Sequence, residues 1–255
     1  MKRRTRSPGW VCALLAAFAV PAIAIAEPHD GEWHVDGELY LWGAKGELRS
    51  SEGQAVQVDF ERALSDLEMA FMGTLGARKD RWSWFGDLMF IGIDATETVP
   101  ATIPGVPTPT DARVSIEQDL FIVTLGGGYE LSSTSDSNID FVGGVRYFDT
   151  DTEVMVDFGG GLSDAVQDSV DAFDFVVGIK GRTGLAHNWF MTYYADVGGG
   201  DSELTWQALV DFNYQFSNFS AGAGYRILEW QPKSGGYLNS FQVSGPFAGV
   251  AFRFK

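Results

Sequence analysis

The chain runs to 255 residues, 45% hydrophobic and 14% aromatic, with a formal charge of −16 from 18 basic and 34 acidic side chains. So acidic a chain repels nucleic acid, which excludes that class of partner. The single cysteine, Cys12, excludes an internal disulfide and a cysteine-based metal site.

At the start, Lys2, Arg3, Arg4 and Arg6 precede an apolar run over residues 11–20 that is too short to span a bilayer. Ala24-Ile25-Ala26 then supplies the small-x-small pattern that a signal peptidase reads. Residues 1–26 are therefore expected to be a cleaved signal peptide, and residues 27–255 one outer-membrane β-barrel domain. Cys12 leaves with the leader, and losing its four basic residues takes the charge to −20. After Ala26 no apolar stretch approaches the ~20 residues of a spanning helix. A membrane crossing must then be made by a closed barrel, because lipid offers backbone amides no partner.

Ten segments alternate apolar and polar residues in the manner of strands: 33–43, 69–78, 82–95, 114–131, 139–149, 172–182, 189–197, 204–216, 220–230 and 241–254. Most reach the ~9–11 residues of a tilted membrane strand. Their connections alternate in length. Residues 79–81, 132–138, 183–188 and 217–219 are tight, whereas 44–68, 96–113 and 150–171 are long, with 198–203 and 231–240 shorter members of the same side. Short periplasmic turns and longer external loops account for this, and an even strand count puts both termini in the periplasm. The four prolines between Val99 and Pro109 mark an extended external loop, and the acid-rich stretch 150–171 a solvated one.

Within the segment from Leu204, Trp206, Ala208, Val210, Phe212 and Tyr214 share one face, while Thr205, Gln207, Asp211, Asn213 and Gln215 share the other. In the segment from Ala172, Phe175, Val177 and Ile179 oppose Asp174, Lys180 and Arg182. A soluble sandwich also alternates, but it needs no aromatic belts. Here Trp33, Trp82 and Trp189 are expected at one rim and Trp42, Trp206 and Trp230 at the other, as interfacial girdles around a wet lumen. Strand glycines such as Gly126, Gly143, Gly144, Gly222 and Gly224 fit a tightly curved wall. The predicted fold is all-β, a closed antiparallel transmembrane up-and-down barrel of about 10 strands, with 8 or 12 if one hairpin is misread.

Several pieces of the chain resemble small proteobacterial outer-membrane barrel proteins of a porin-like family. They are Tyr40-Leu41-Trp42 with Gly46, the hairpin from Ala77 to Trp82 leading to Phe85-Gly86-Asp87, and Gly144-Val145-Arg146-Tyr147. Further on come Gly178-Ile179-Lys180-Gly181-Arg182, Tyr194-Ala195-Asp196-Val197-Gly198-Gly199-Gly200, Gly224-Tyr225-Arg226, and Gly245-Pro246 with Gly249 and Phe252-Arg253-Phe254. The resemblance covers nearly the whole mature chain and implies the barrel fold and an outer-membrane location. It brings no established activity. It also implies two partners: outer-membrane lipid, and the barrel-assembly machinery through the Phe252-Arg253-Phe254 closing strand. Such barrels end on the aromatic residue itself, whereas here Lys255 follows.

Barrel enzymes of this size need a base, commonly histidine, near the outer rim. The histidines are His29, His34 and His187, all at the predicted periplasmic end, and no Gly-x-Ser-x-Gly or His-Glu-x-x-His pattern is present. A non-enzymatic protein without cofactor or metal is expected. Parity instead turns charges into the lumen: Asp36, Glu38, Asp87, Asp94, Asp140, Asp174, Asp196 and Asp211, with Arg78, Arg146, Lys180, Arg182, Arg226 and Arg253. Unpaired and hydrated, they would line a narrow, cation-preferring passive channel for ions or small solutes. Crossed into ion pairs, they would plug a closed structural or surface-interaction barrel that acts through its external acidic loops.

Overall fold

The computed structural model describes residues 30–43, 45–50, 55–58, 67–101, 110–157, 163–233 and 238–254. The signal-peptide segment, His29 and Lys255 lie outside them, as does the side chain of Asp94. The strands are β1 (His34–Trp42), β2 (Lys45–Ser50), β3 (Ala55–Val58), β4 (Leu67–Lys79), β5 (Trp82–Ala101), β6 (Thr110–Ser133), β7 (Ser137–Asp157), β8 (Ser163–Ala186), β9 (Trp189–Gly200), β10 (Ser202–Gln215), β11 (Phe219–Pro232) and β12 (Leu238–Phe254). β1 and β4 to β12 pair antiparallel in chain order, and β12 returns to β1. The result is a closed barrel of ten strands.

β2 and β3 fall inside the segment expected as a long connection. β2 continues β1 along β12 in a single register, Trp42 opposite Phe247 and Lys45 opposite Ser244. The interruption has a local cause. The Gly43 amide donates to the Pro246 carbonyl at 2.8 Å, but proline has no N–H to return the bond.

Closure fixes the geometry of the ring. Following the ladders once around from Asp36 leads through Gly76, Phe85, Gly126, Gly144, Val176, Gly198, Thr205, Trp230 and Phe241 to Leu48, a stagger of 12 residues. With ten strands, that stagger implies a tilt of about 40° and a backbone radius of about 10 Å.

One end, the near rim, carries both described termini and the tight turns. Asp80 and His187 open two of these turns with φ of 51° and 50°, a left-handed conformation that Asp and His tolerate better than most residues. At the other end, the far rim, β5 to β8 run 20 to 24 residues, against 12 to 14 for β9 to β11. The stretches 96–113 and 150–171, expected as loops, are therefore mostly ladder: Ala101 pairs with Thr110 and Asp157 with Ser163. Above the lipid both faces of a sheet meet water, so the alternation that marks a strand fades there.

The outward face is apolar. Leu41, Leu75, Leu125, Phe175 and Phe212 are each more than half exposed, which water would penalise and lipid favours. Around the near rim Trp33 meets Trp84, Trp82 meets Tyr129, and Trp189, Tyr214, Phe216 and Phe219 form a chain of ring contacts. Toward the far rim lie Trp206, Phe121 with Tyr147, and Phe173 with Phe175. Trp42 and Trp230 do not join that girdle as expected; both are buried inside. An apolar band between aromatic girdles on a closed barrel is a transmembrane surface of outer-membrane type.

Strand approach is closest at inward glycines. A Cβ on Gly198 would lie 1.9 Å from the Phe175 carbonyl oxygen, whereas one on outward Gly143 meets nothing nearer than 3.9 Å. Gly198→Ala is expected to lower unfolding stability in lipid vesicles by about 1–3 kcal/mol. Gly143→Ala is expected to leave it within about 0.5 kcal/mol. Equal midpoints in urea titrations of the two variants would contradict the packing described.

Candidate lumenal site

The thirteen charged positions Asp36, Glu38, Arg78, Asp87, Asp140, Arg146, Asp174, Lys180, Arg182, Asp196, Asp211, Arg226 and Arg253 share the inward parity of their strands. They do not form one lining. Three arginines gather Asp87, Asp140 and Asp196 into separate clusters, each bridging strands that are not neighbours in the ring.

Arg226 on β11 reaches across the lumen to β5. Its guanidinium donates to Asp87 Oδ2 at 2.6 Å, to Gln207 Oε1 at 2.7 Å and to the Tyr40 hydroxyl at 2.7 Å. The Tyr40 hydroxyl in turn donates to Asp87 Oδ1 at 2.8 Å, and Thr74 donates to the same oxygen at 3.0 Å. Arg146 on β7 donates to Asp196 on β9, to Thr205 at 3.0 Å and to Thr124 at 3.2 Å, while Tyr194 also donates to Asp196. Nearer the near rim, Arg78 on β4 donates to Asp140 and to Glu130, and Ser83 and Asn138 complete the shell of Asp140. Asp174 sits toward the far rim and accepts the Ser202 amide at 2.9 Å. Buried ions persist when their remaining donors and acceptors are met, and these clusters come close to that condition.

Toward the far rim the lumen carries an apolar filling beside the buried Asp174. Met72, Met89, Ile91, Ile122, Phe148, Leu228 and Val243 form a buried apolar cluster, capped by Phe148 stacked on Trp230 at 5.4 Å and 11°. The alternation predicts a wet lumen; this cluster fills part of it and leaves open space toward the near rim. There a cavity of about 290 Å³ is lined by Asp36, Glu38, Lys180, Arg182, Asp211 and Arg253, among others. Asp211 accepts from the Thr192 amide and hydroxyl. Lys180 lies over the Phe85 ring at 5.2 Å and Arg182 over Phe190 at 3.5 Å.

Sequence reasoning missed Tyr40, Gln207, Thr205 and Glu130. Each lies on an inward parity position, so the signal was present, but what they bind depends on which levels meet across the ring. Of the rim histidines, His34 is occupied locally. His34 pairs with Asp30 at 3.1 Å, and the Glu32 amide together with His34 holds the Asp30 carboxyl below its ordinary pKa. Among the described residues no group of three or more His, Cys, Asp or Glu is placed to hold a metal ion.

No protein-family model matches the sequence, and no curated protein matches it. Among solved structures the chain is similar to the translocator domain of the autotransporter NalP from Neisseria meningitidis, at 14% identity over 89% of this chain and 90% of that one, with a TM-score of 0.46. It is similar to the outer membrane protease OmpT from Escherichia coli at 10% identity, over 88% and 98% of the two chains, TM-score 0.46. A third similarity is to Ail, the attachment invasion locus protein of Yersinia pestis, at 12% identity over 87% and 98%, TM-score 0.37.

Removing one member of the central pair strands the other in the lumen. Arg226→Met or Asp87→Leu alone is expected to cost about 3–5 kcal/mol, and the double variant to recover most of that loss. Urea unfolding of the four proteins in lipid vesicles gives the coupling directly; a value near zero would mean that the two side chains act independently.

Proposed function

We propose that the protein is a closed outer-membrane barrel that works at its surface and does not conduct through its lumen. The observation that carries this reading is the pair of layers across the lumen: the Arg226–Asp87–Tyr40–Gln207 cluster, and above it the apolar cluster under Phe148 and Trp230. Ions crossing the barrel would have to break the first and wet the second. The near rim, with its tight turns, faces the periplasm in this reading, and the tall β5–β8 sheet faces outward.

That sheet supplies the working surface. Glu117 pairs with Glu153, Asp119 with Asp151 and Asp149 with Asp171, each directly across the ladder. Like charges opposed in this way cost stability, which a cationic partner offsets. The reading is non-enzymatic, with lipid on the apolar band. Recognition by the barrel-assembly machinery falls to β12, whose Phe252 and Phe254 point outward.

Protein purified from membranes and inserted into a planar bilayer is expected to be silent under applied voltage while migrating on gels as a heat-modifiable folded barrel. Discrete, cation-selective steps from the folded protein would overturn the proposal and restore the narrow channel.

A further inference from the structure

Several charges of the near-rim cavity lie outside the three arginine clusters, and two of opposite sign, Glu38 and Lys180, make no ion pair among the described residues. Glu38 makes no hydrogen bond or ion pair among the described residues; its Oε1 rests where a Cβ on Gly249 would come within 2.5 Å. Lys180 meets no carboxylate at ion-pair distance among the described residues and lies on the Phe85 ring instead. Asp211, beside Glu38 on the same side of the cavity, is held by Thr192 and Asn213 and lies within the field of Arg182.

The ring geometry sets these groups against each other. β1 and β8 are five strands apart by either path around the barrel. Half of the 12-residue stagger brings Lys180 on the descending β8 level with Glu38 on the ascending β1. Their backbones lie about 20 Å apart across a ring of this radius. Fully extended, the two side chains together reach roughly 11 Å, so they cannot pair. The gap of about 9 Å suits one small molecule with a hydrogen bond at each end. Asn213 and Glu38 fold over the inward glycines Gly222 and Gly249 on the acidic side, and Phe85, Phe190 and Tyr194, the first and last in ring contact at 5.6 Å, give the opposite side an aromatic surface.

We propose that this cavity binds a small zwitterion of the amino-acid class, its ammonium on Glu38 and Asp211 and its carboxylate on Lys180. A lone cation would leave Lys180 uncompensated and a lone anion would leave Glu38 so; a molecule carrying both charges meets both walls. The site opens at the near rim beside Gln215, Asn218 and Arg253 and is blind beyond the Arg226 cluster. It belongs to neither the far-rim surface nor a path through the barrel, so it stands apart from the function proposed above.

The test is calorimetric titration of membrane-purified protein in detergent with the ω-amino acids from glycine to 5-aminovalerate, alongside butyrate and n-butylammonium. One chain length is expected to bind saturably, at one per barrel and at least tenfold more tightly than either half-molecule. Glu38→Gln is expected to weaken that zwitterion and butylammonium by about tenfold while sparing butyrate, and Lys180→Met to do the converse. Gly143→Ala on the outer face serves as the folded control, with unchanged binding. Absence of saturable binding by any length, half-molecules that bind as tightly as the zwitterion, or unchanged binding by both folded cavity variants would each refute the site.

Discussion

Lipid gives the backbone nothing to bond with, so the return of β12 to β1 is the interaction on which the rest depends. Eight residue pairs from Val35–Phe254 to Trp42–Phe247 make that seam, and β2 prolongs it past Pro246. Closing ten strands with a stagger of 12 residues leaves no freedom in radius or tilt. The radius in turn decides that an arginine on β11 can meet an aspartate on β5, as Arg226 meets Asp87, while Glu38 and Lys180 fall short of each other. Side-chain chemistry inside the barrel is thus a consequence of backbone closure, and the seam is where a defect in closure would reach every cluster at once.

The lumen is divided because two solutions to filling it are used in sequence. Toward the far rim, Met, Ile, Leu, Val and Phe fill much of the ring by packing, beside the Asp174 carboxylate held by the Ser202 amide. Toward the near rim, charges replace them, and each cluster draws donors and acceptors from its neighbours for most of its buried oxygens and nitrogens, Arg226 Nε and Asp196 Oδ1 excepted. Thr124, Thr205, Thr74 and Ser83 provide these, which explains why small hydroxyl residues recur at inward positions where an apolar core would carry larger side chains.

Much of this was legible in the chain. The ten spanning segments, their parity and the tight turns at one end all follow from alternation and turn chemistry, and inward Asp87, Arg146 and Arg226 follow from parity alone. The levels do not, because the stagger belongs to pairs of strands and no single strand carries it. Trp42 and Trp230 show how an expectation fails when a residue type outweighs its parity: both sit on inward positions and were assigned to a girdle for being tryptophan. The far halves of β5 to β8 were read as loops for a different reason. Acidic residues and prolines stand where lipid no longer sorts one face from the other, and only the register, Asp157 opposite Ser163 for example, reveals the ladder.

Stability by itself does not account for the charged half of the lumen. Well-packed apolar side chains in place of a buried ion pair are often as stable or more so, and the far half of this barrel demonstrates that its ring accepts such packing. The arginine clusters gain a role from specificity, since Arg226 can satisfy Asp87, Gln207 and Tyr40 together only in one register of the ring. That argument covers the paired groups and stops at Glu38 and Lys180. Neither fixes a register, neither neutralises the other, and each faces the same solvated hollow from opposite walls. Charges held at that cost without a partner in the protein are explained by a partner outside it.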